Sequence, residues 1–501
     1  MPTLGRLRSL LRRRSSHADP TNPESSRPSP EEQKSNPSQD NTPLGEPPTT
    51  PTSPSQFLKR LGDNPSTPTR QLLQPYLAYE LWLRKGFARG HPGVSDGLAS
   101  LIPIYNGCQN LLTIRNLDRE REDQAKYLML VPEEKREENG VLAIVPSIDE
   151  YSKNFDAFTH GILAGLDWSN VVAAGSSALL PLLSRRKDVD YEEDPGVQDP
   201  RETYFQTIAS SSDIDLFLYG LEDEEAAIKR IFELEAQIRR NQRLSSDAAL
   251  TLRTEHAITF ISPRYPYRHV QIILRLYKSI SEILTGFDVD CACVAFDGKQ
   301  VYSNPRGVAA IATRTNTIDL TRRSPSYENR LFKYRWHNFD VYWDGLDRSR
   351  IHINWDPYDD EFSPRQLIGL SRLVFFEGIV AEPEQKYHQR RRLRKIQESG
   401  DPLLTTPSGY AVLEIPYGER FTAARVRKYV DQHAKESPHF FGTIDEVVIQ
   451  GMKRTKKNKG QLSGKVTFIK DDPGRQMIGS FHPITDDDWT KIAYEGLPED
   501  S

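Results

Sequence analysis

A ten-residue stretch, "SSDIDLFLYG" at 211–220, limits the possible fold more than any other segment of the chain. Its Ile, Leu, Phe and Tyr residues follow each other up to a glycine and are good strand formers, which predicts a β-strand. A period of two sends alternate side chains of a strand to opposite faces of the sheet. One face carries Asp213, Asp215, Phe217 and Tyr219, and the other carries Ile214, Leu216 and Leu218. The strand therefore predicts a sheet with one apolar face and, on the other, two neighbouring carboxylates.

These two carboxylates, Asp213 and Asp215, project side by side at a backbone separation of about 6 to 7 Å. Two negative charges this close are unfavourable unless a cation lies between them. Mg²⁺, or Mn²⁺ in its place, binds carboxylate oxygens together with the phosphates of a nucleotide. The pair therefore predicts a metal and nucleotide site. In the alternative interpretation, Ser-Ser-Asp merely starts the strand and Asp215 faces water.

A second motif, Gly-Ser-Ser, interrupts the apolar run "VVAAGSSALLPLL" at 171–183. Gly175 allows close backbone approach, and Ser176 and Ser177 offer hydroxyl and amide donors where a helix starts. This combination is suited to hold the phosphates of a nucleotide. The alternative is an ordinary helix N-cap, for which a serine needs no ligand.

Further helices and strands surround the two motifs. Apolar residues at helical spacing predict helices at Gln71–Phe87 and Glu224–Gln242. The apolar stripe of the second helix consists of Ala227, Ile228, Ile231, Leu234 and Ile238. Runs rich in β-branched and aromatic residues predict strands in "LTLRTEHAITFIS", "RHVQIILRLY" and "FDVDCACVAFDG". One strand, a helix and then several strands indicate the α+β class.

Composition divides the chain into three parts. Residues 1–70 are mostly rich in Pro, Ser, Thr and Asn and poor in aromatic residues, so we expect a disordered leader. Residues 71–400 contain the predicted helices and strands of the core. Pro and Gly residues near position 400 separate a last part, 401–501, in which strand-like runs alternate with turns. We expect this part to form a small α/β or β module.

Charge and cysteine content narrow the class of protein. The 66 basic and 70 acidic residues give a formal net charge of −4, which argues against nucleic-acid or membrane binding over the whole surface. Three cysteines are too few for a disulfide framework or a four-ligand zinc site, so we expect a reducing compartment. No apolar run is long enough to cross a bilayer. We expect a soluble protein of the cytoplasm or nucleus, or of mitochondria if the Arg- and Ser-rich N-terminus acts as a targeting signal.

Gly-Ser at the start of a helix, followed by Asp-x-Asp on the next strand, resembles the signature of the DNA polymerase β-like nucleotidyltransferase superfamily. The wider stretch Asp167–Phe339, which includes "HVQIILRLYKSISEILTGFDVDCACVAFDGKQVY", is also similar to an uncharacterised, mainly fungal group often fused to ankyrin repeats. The resemblance implies a mixed-sheet nucleotidyltransferase-like core. In such a core, Gly175, Ser176 and Ser177 would form the triphosphate-binding turn, and Asp213 and Asp215 would bind the metal ions.

The resemblance also implies a third carboxylate and cations for the phosphates. "GFDVDCACVAFDG" offers Asp288 and Asp290, of which we favour Asp290 because Cys291–Phe296 continues from it as a core strand. Arg275, in the apolar strand "IILRLY", is a candidate cation that faces the phosphates. Further candidates of the same kind are Arg322 and Arg323. Ion pairs within the protein and solvated surface positions are the alternative for all three arginines.

The implied activity is that of a metal-dependent nucleotidyltransferase, which moves a nucleoside monophosphate from an NTP to an acceptor. The acceptor, whether a protein, a small molecule or RNA, stays open. The alternative is a catalytically inactive protein of the same fold that acts as a binding or regulatory scaffold, with the leader and the C-terminal module contacting partner proteins. Basic clusters in "YHQRRRLRKI" and "KRTKKNKG" suggest a third interpretation, nucleic-acid binding without catalysis.

Overall fold

The structure is a computed structural model, and every structural statement below concerns the residues that it describes. These are residues 44–94, 97, 99–186, 189, 199–209, 212–245, 250–322, 327–348, 373–374, 376–377, 415, 417–418, 421–433, 439–450 and 466–469. No helix in these ranges is long and apolar enough to span a bilayer.

The described part of the chain contains both helices and strands. The α-helices are α1 (Phe57–Asp63), α2 (Thr69–Ala88), α3 (Leu117–Arg121), α4 (Ile148–Thr159), α5 (Ser176–Leu182), α6 (Pro200–Ile208), α7 (Glu224–Asn241), α8 (Ile280–Gly286), α9 (Pro305–Thr313), α10 (Tyr327–Arg335) and α11 (Ala423–His433). The strands are β1 (Ile102–Pro103), β2 (Tyr127–Leu128), β3 (Val171–Ala174), β4 (Ile214–Tyr219), β5 (Leu250–Thr254), β6 (Ala257–Ile261), β7 (Val270–Tyr277), β8 (Val294–Phe296), β9 (Val301–Ser303), β10 (Thr315–Thr317), β11 (Asp340–Tyr342) and β12 (His439–Gly442).

The strands form one large mixed sheet and one small sheet. The large sheet has the order β1-β9-β8-β3-β4-β7-β6-β5-β12 within the described part of the chain. Its pairs are antiparallel except β4 and β7, which run parallel. The small sheet has the order β10-β11-β2. Helices and a mixed sheet in one core confirm the predicted α+β class.

The periodic patterns of the sequence correspond to the observed burial. On β4, Ile214, Leu216 and Leu218 lie in the main core, whereas Phe217 belongs to a separate apolar cluster that includes residues of α8. The predicted strand therefore has the predicted two faces. Helix α7 buries Ala227, Ile231, Leu234 and Ile238 and partly buries Ile228, which confirms the predicted apolar stripe. The helix predicted at Gln71–Phe87 is also present, as α2.

The part of the predicted leader that the structure describes, residues 44–70, is folded rather than disordered. Phe57, Leu58 and Leu61 of α1 are at most 1% exposed and belong to the main core. The ring of Phe57 meets the ring of Tyr76 edge-on, with centroids 4.9 Å apart. The prediction of disorder was wrong for these residues because it used the average composition of residues 1–70. A short helix such as α1, with few apolar residues between Pro-rich stretches, changes that average little. Residues 1–43 lie outside the described residues.

The described residues of the predicted C-terminal module join the core sheet. β12 pairs with β5 and so forms one edge of that sheet. Val426 and Val430 of α11 pack with Leu252 and Ile261 of the β5–β6 hairpin. The segment therefore has the expected α/β character, but it extends the core instead of standing beside it. The predicted basic clusters lie outside the described residues.

We expect Phe57→Ala to lower the free energy of unfolding of the full chain by about 3 to 5 kcal/mol, because it leaves a cavity in the core. Urea denaturation followed by tryptophan fluorescence measures this loss. Gln56→Ala, at an exposed neighbouring position, is the control and should change the midpoint little. Equal midpoints for both variants would show that α1 does not contribute to the core.

Candidate active site

The pairing of β3 with β4 brings the two sequence motifs together. In this antiparallel pair Val171 lies opposite Leu218, and Ala173 lies opposite Leu216. Continuing the register by one residue sets Ala174 opposite Asp215 and places Gly175 beside the start of β4. The Gly-Ser-Ser turn and the acidic pair therefore lie at the same end of the β3–β4 pair.

Gly175 has a backbone conformation that requires glycine. Its φ of 76° and ψ of −140° lie outside the regions that other residues readily adopt. Its N–H donates to the carbonyl of Val294 on β8, with a nitrogen to oxygen distance of 3.0 Å. A Cβ atom here would meet only a ring carbon of Phe287, at 3.7 Å, so conformation rather than space excludes other residues. The turn is therefore shaped by its backbone and is tied to the neighbouring strand.

The two serines that start α5 are both buried but differ in their known contacts. The hydroxyl of Ser177 donates to the carbonyl of Ala174 at 3.1 Å. Ser176 is 4% exposed. The hydroxyl of Ser177 is thus used within the protein, but it donates to a carbonyl, whereas an N-cap serine accepts from a backbone N–H. The N-cap position of α5 is Gly175.

The acidic pair lies in an environment that disfavours negative charge. Asp213 and Asp215 are half-buried at the start of β4. Burial raises the pKa of the Asp215 carboxyl well above its ordinary value, and the neighbouring Asp213 raises it further. Lys333 and Arg330 of α10 oppose this rise. A cation bound beside Asp215 would favour its charged form, as Lys333 and Arg330 do.

Helix α10 supplies the cations that face this pair. Arg330 and Lys333 are separated by three positions, so both lie on one side of the helix. Sequence reasoning missed both residues. Their spacing is visible in "YENRLFKYR", but no pattern in this segment indicates that α10 lies near the acidic pair. Only the tertiary structure shows that they act on Asp215.

Asp288 lies next to the same group of residues. It follows Phe287, whose ring packs against the ring of Phe217 with centroids 5.4 Å apart and lies beside Gly175. The carboxylate Oδ2 of Asp288 accepts a hydrogen bond from Nη2 of Arg330 at 2.6 Å. Asp288 is only 2% exposed, so Arg330 connects a buried acid with the acidic pair of β4.

Asp290, the favoured third carboxylate, is held in a different network. Its Oδ1 accepts from Nη1 of Arg306, and its Oδ2 accepts from the backbone N–H of Thr317, both at 2.7 Å. Arg306 also contacts Glu80 at 3.3 Å, and all three charged side chains are buried. Asp290 begins a 3₁₀ turn, Asp290–Ala292, and the strand starts only at Val294, so the predicted continuous strand is wrong.

The assignment of a third metal ligand stays a prediction, and the geometry favours Asp288 over Asp290. In the described ranges, no three His, Cys, Asp or Glu side chains lie close enough together to hold a metal ion. Cys291 and Cys293 are buried, as expected of core residues.

Arg275, the candidate phosphate cation, lies away from the acidic pair. On the parallel strand β7, Gln271 is the partner of Asp215, and Arg275 lies four residues further on, about 13 Å along the strand. Arg275 is buried and forms an ion pair with Glu282, with Nη2 and Oε1 3.6 Å apart. Its charge is therefore used between β7 and α8.

Of the other two arginine candidates for phosphate binding, Arg322 is also used in ion pairs within the protein. Arg322 is buried in ion pairs with Glu80 at 3.3 Å and with Asp319 at 3.1 Å. Arg322 thus belongs to the same buried network as Asp290. Arg323 lies outside the described residues.

Comparisons with known proteins give two matches. The model of the Gad2 family, "Gabija anti-defense 2 family protein", matches residues 149–314, which run from α4 to the end of α9 and include the candidate site. "Uncharacterized protein R883" of Acanthamoeba polyphaga mimivirus is 29% identical over 237 residues, 44% of this chain and 51% of that protein. The chain thus matches about half the length of this relative. No solved structure matches.

We expect Asp215→Asn to stabilise the metal-free protein at neutral pH, with a rise in Tm of about 2 to 4 °C. The raised pKa of Asp215 means that the folded protein binds more protons than the unfolded chain, so wild-type stability falls as the pH rises above the ordinary value of 3.8. Asparagine does not titrate and removes this loss.

Thermal unfolding in EDTA between pH 4 and pH 8 measures the effect, which should grow with pH. Glu222→Gln, at an exposed position beyond the other end of β4, is the control. A lower Tm for Asp215→Asn across the whole range would contradict the expectation.

Proposed function

We propose that this chain is a metal-dependent nucleotidyltransferase, which moves a nucleoside monophosphate from an NTP to the hydroxyl of an acceptor. The single observation that carries the proposal is the register of β3 and β4. It sets the Gly175 turn, at the end of β3, beside Asp213 and Asp215, at the start of β4. A glycine turn that starts a helix can bind phosphate, and two adjacent carboxylates can bind a divalent cation. The residues that we propose for the phosphates and for the metal thus lie close together, which supports the proposal.

The donor set fits Mg²⁺ or Mn²⁺. Carboxylate oxygens are the ligands these ions prefer, and a bound cation would favour the ionised form of Asp215, which burial disfavours. When bound, such ions stabilise charge on the attacking and leaving oxygens of phosphoryl transfer. Asp213 and Asp215 would hold them, with Asp288 as the nearest candidate for a third ligand.

Arg330 and Lys333 take the role that we first expected of Arg275. Both act electrostatically on Asp215, so a triphosphate bound at the pair would lie within their reach. In the reaction the acceptor oxygen bonds to the α-phosphorus, the bond to the β-phosphate oxygen breaks, and pyrophosphate leaves. The acceptor hydroxyl loses its proton to water. Arg330 and Lys333 would stabilise the negative charge that develops on the departing pyrophosphate.

Incubation of the pure protein with α-labelled NTPs and Mg²⁺ or Mn²⁺ tests the proposal. We expect label on the protein itself or on an added acceptor, and we expect Asp213→Ala and Asp215→Ala to reduce it to background, because each removes a metal ligand. Glu222→Ala is the matched control and should retain wild-type incorporation. Incorporation that persists in both aspartate variants, or a wild-type protein that binds no nucleotide, would refute the proposal.

Separate variants of the two neighbouring acids identify the third carboxylate. We expect Asp288→Asn to weaken Mn²⁺ binding about 10- to 100-fold. We expect Asp290→Asn to leave Mn²⁺ binding unchanged but to cost about 3 kcal/mol of stability, because it breaks a buried ion pair with Arg306. Calorimetric Mn²⁺ titration and urea denaturation of both variants give the two quantities. The opposite pattern would assign the metal to Asp290.

We propose a catalytically inactive protein of the same fold as the second candidate. The observation that favours it is the ion pair between Asp288 and Arg330, together with the lack of a three-ligand cluster among the described residues. Such a protein would bind nucleotide or a partner without transferring label, so the same labelling experiment separates the candidates. The name of the matched family refers to anti-defense and is compatible with either candidate.

A further inference from the structure

We infer that Arg268 is a positioning residue for the metal-binding pair, because it fixes the backbone immediately before Asp213. Arg268 lies two residues before the first residue of β7, which runs parallel to β4. The inference rests on the proposed function, since it concerns the same two carboxylates. It assigns a role to a residue outside the two sequence motifs.

The guanidinium of Arg268 binds four backbone carbonyls. Nε donates to Phe158 at 2.8 Å, and Nη2 donates to Phe205 at 3.1 Å. Nη1 donates to Ala209 at 2.6 Å and to Ser212 at 2.8 Å. These carbonyls belong to the C-terminal ends of α4 and α6 and to the residue that precedes Asp213. One side chain thus joins two helix ends to the start of the acidic strand.

The surroundings hold this guanidinium in a single place. Arg268 is fully buried, and the ring of Phe158 lies 4.2 Å from its guanidinium carbon. Carbonyls at helix C-termini carry partial negative charge and favour a cation. Burial lowers the pKa of Arg268, whereas Tyr417, Tyr265 and Asp213 raise it. An arginine keeps its proton in proteins, so its charge and its fixed fork remain available to the carbonyls.

The backbone of this region ties the same residues together a second time. The N–H of Ile214 donates to the carbonyl of His269 at 3.0 Å, and Oγ of Ser262 donates to the carbonyl of Arg268 at 2.6 Å. Residues on both sides of Asp213 are therefore anchored, Ser212 by the guanidinium and Ile214 by the strand. Metal ligands must be placed within about 0.5 Å, so this anchoring bears directly on metal affinity.

Arg115 provides a matched control elsewhere in the fold. It is also buried, and its guanidinium donates to the carbonyls of Leu61, Asn64 and Thr67 at 2.8 to 3.0 Å. These carbonyls lie at the end of α1 and in the turn before α2, not beside the acidic pair. Arg115 thus also binds several backbone carbonyls, but none of them belongs to the candidate site.

The test compares Mn²⁺ affinity in Arg268→Lys and Arg115→Lys, by calorimetric titration of the full chain well below the Tm of both variants. Lysine keeps the charge but cannot bind four carbonyls at once. We expect Tm to fall in both variants, but Mn²⁺ binding to weaken at least about tenfold only in Arg268→Lys. Binding within about twofold of wild type in Arg268→Lys would show that Arg268 is merely structural.

Two further outcomes are decisive. If the wild-type chain binds no Mn²⁺, the proposed function is wrong and the inference fails with it. The same holds if Asp213→Ala binds Mn²⁺ as tightly as the wild-type chain does. If Arg268→Lys does not fold, Phe158→Leu replaces it, because it removes only the ring beside the guanidinium. We then expect binding about threefold weaker than wild type, and unchanged binding would overturn the inference.

Discussion

The antiparallel pairing of β3 with β4 determines where the other parts of the candidate site lie. Leu216 and Leu218 of β4 pack in the main core, so a slip of this register by one residue would remove both from that packing. A shift of one residue would also turn Asp213 and Asp215 into the apolar interior. The hydrophobic face of the strand thus holds the acidic face in place, with Gly175 beside it.

Two ion pairs near the candidate site, Asp290 with Arg306 and Asp288 with Arg330, differ in their exposure to solvent. Asp290 and Arg306, both nearly inaccessible, form an ion pair that joins the loop after α8 to α9. Asp288 instead pairs with Arg330, whose side chain is 31% exposed and which also acts on Asp215. The first pair is closed to solvent and holds the fold together. The second pair is partly open to solvent through Arg330, which also acts electrostatically on Asp215.

Local patterns were sufficient for part of this structure. The apolar stripe of α7 and the alternation of β4 depend on residues close in sequence, so both could be predicted. That the Gly175 turn would lie beside the acidic strand was expected only from the resemblance to the nucleotidyltransferase superfamily, because neither motif by itself indicates which strands are neighbours. The roles of Arg330, Asp288 and Asp290 could not be predicted, because they depend on which element packs over which end of the sheet.

The most direct measurement is an anomalous difference map of crystals grown with Mn²⁺ and a non-hydrolysable NTP. The predicted result is a manganese peak within about 2.2 Å of carboxylate oxygens from both Asp213 and Asp215, with the phosphates next to the Gly175 turn. A nucleotide bound elsewhere, or a manganese peak that touches neither carboxylate, would contradict the assignment of the site.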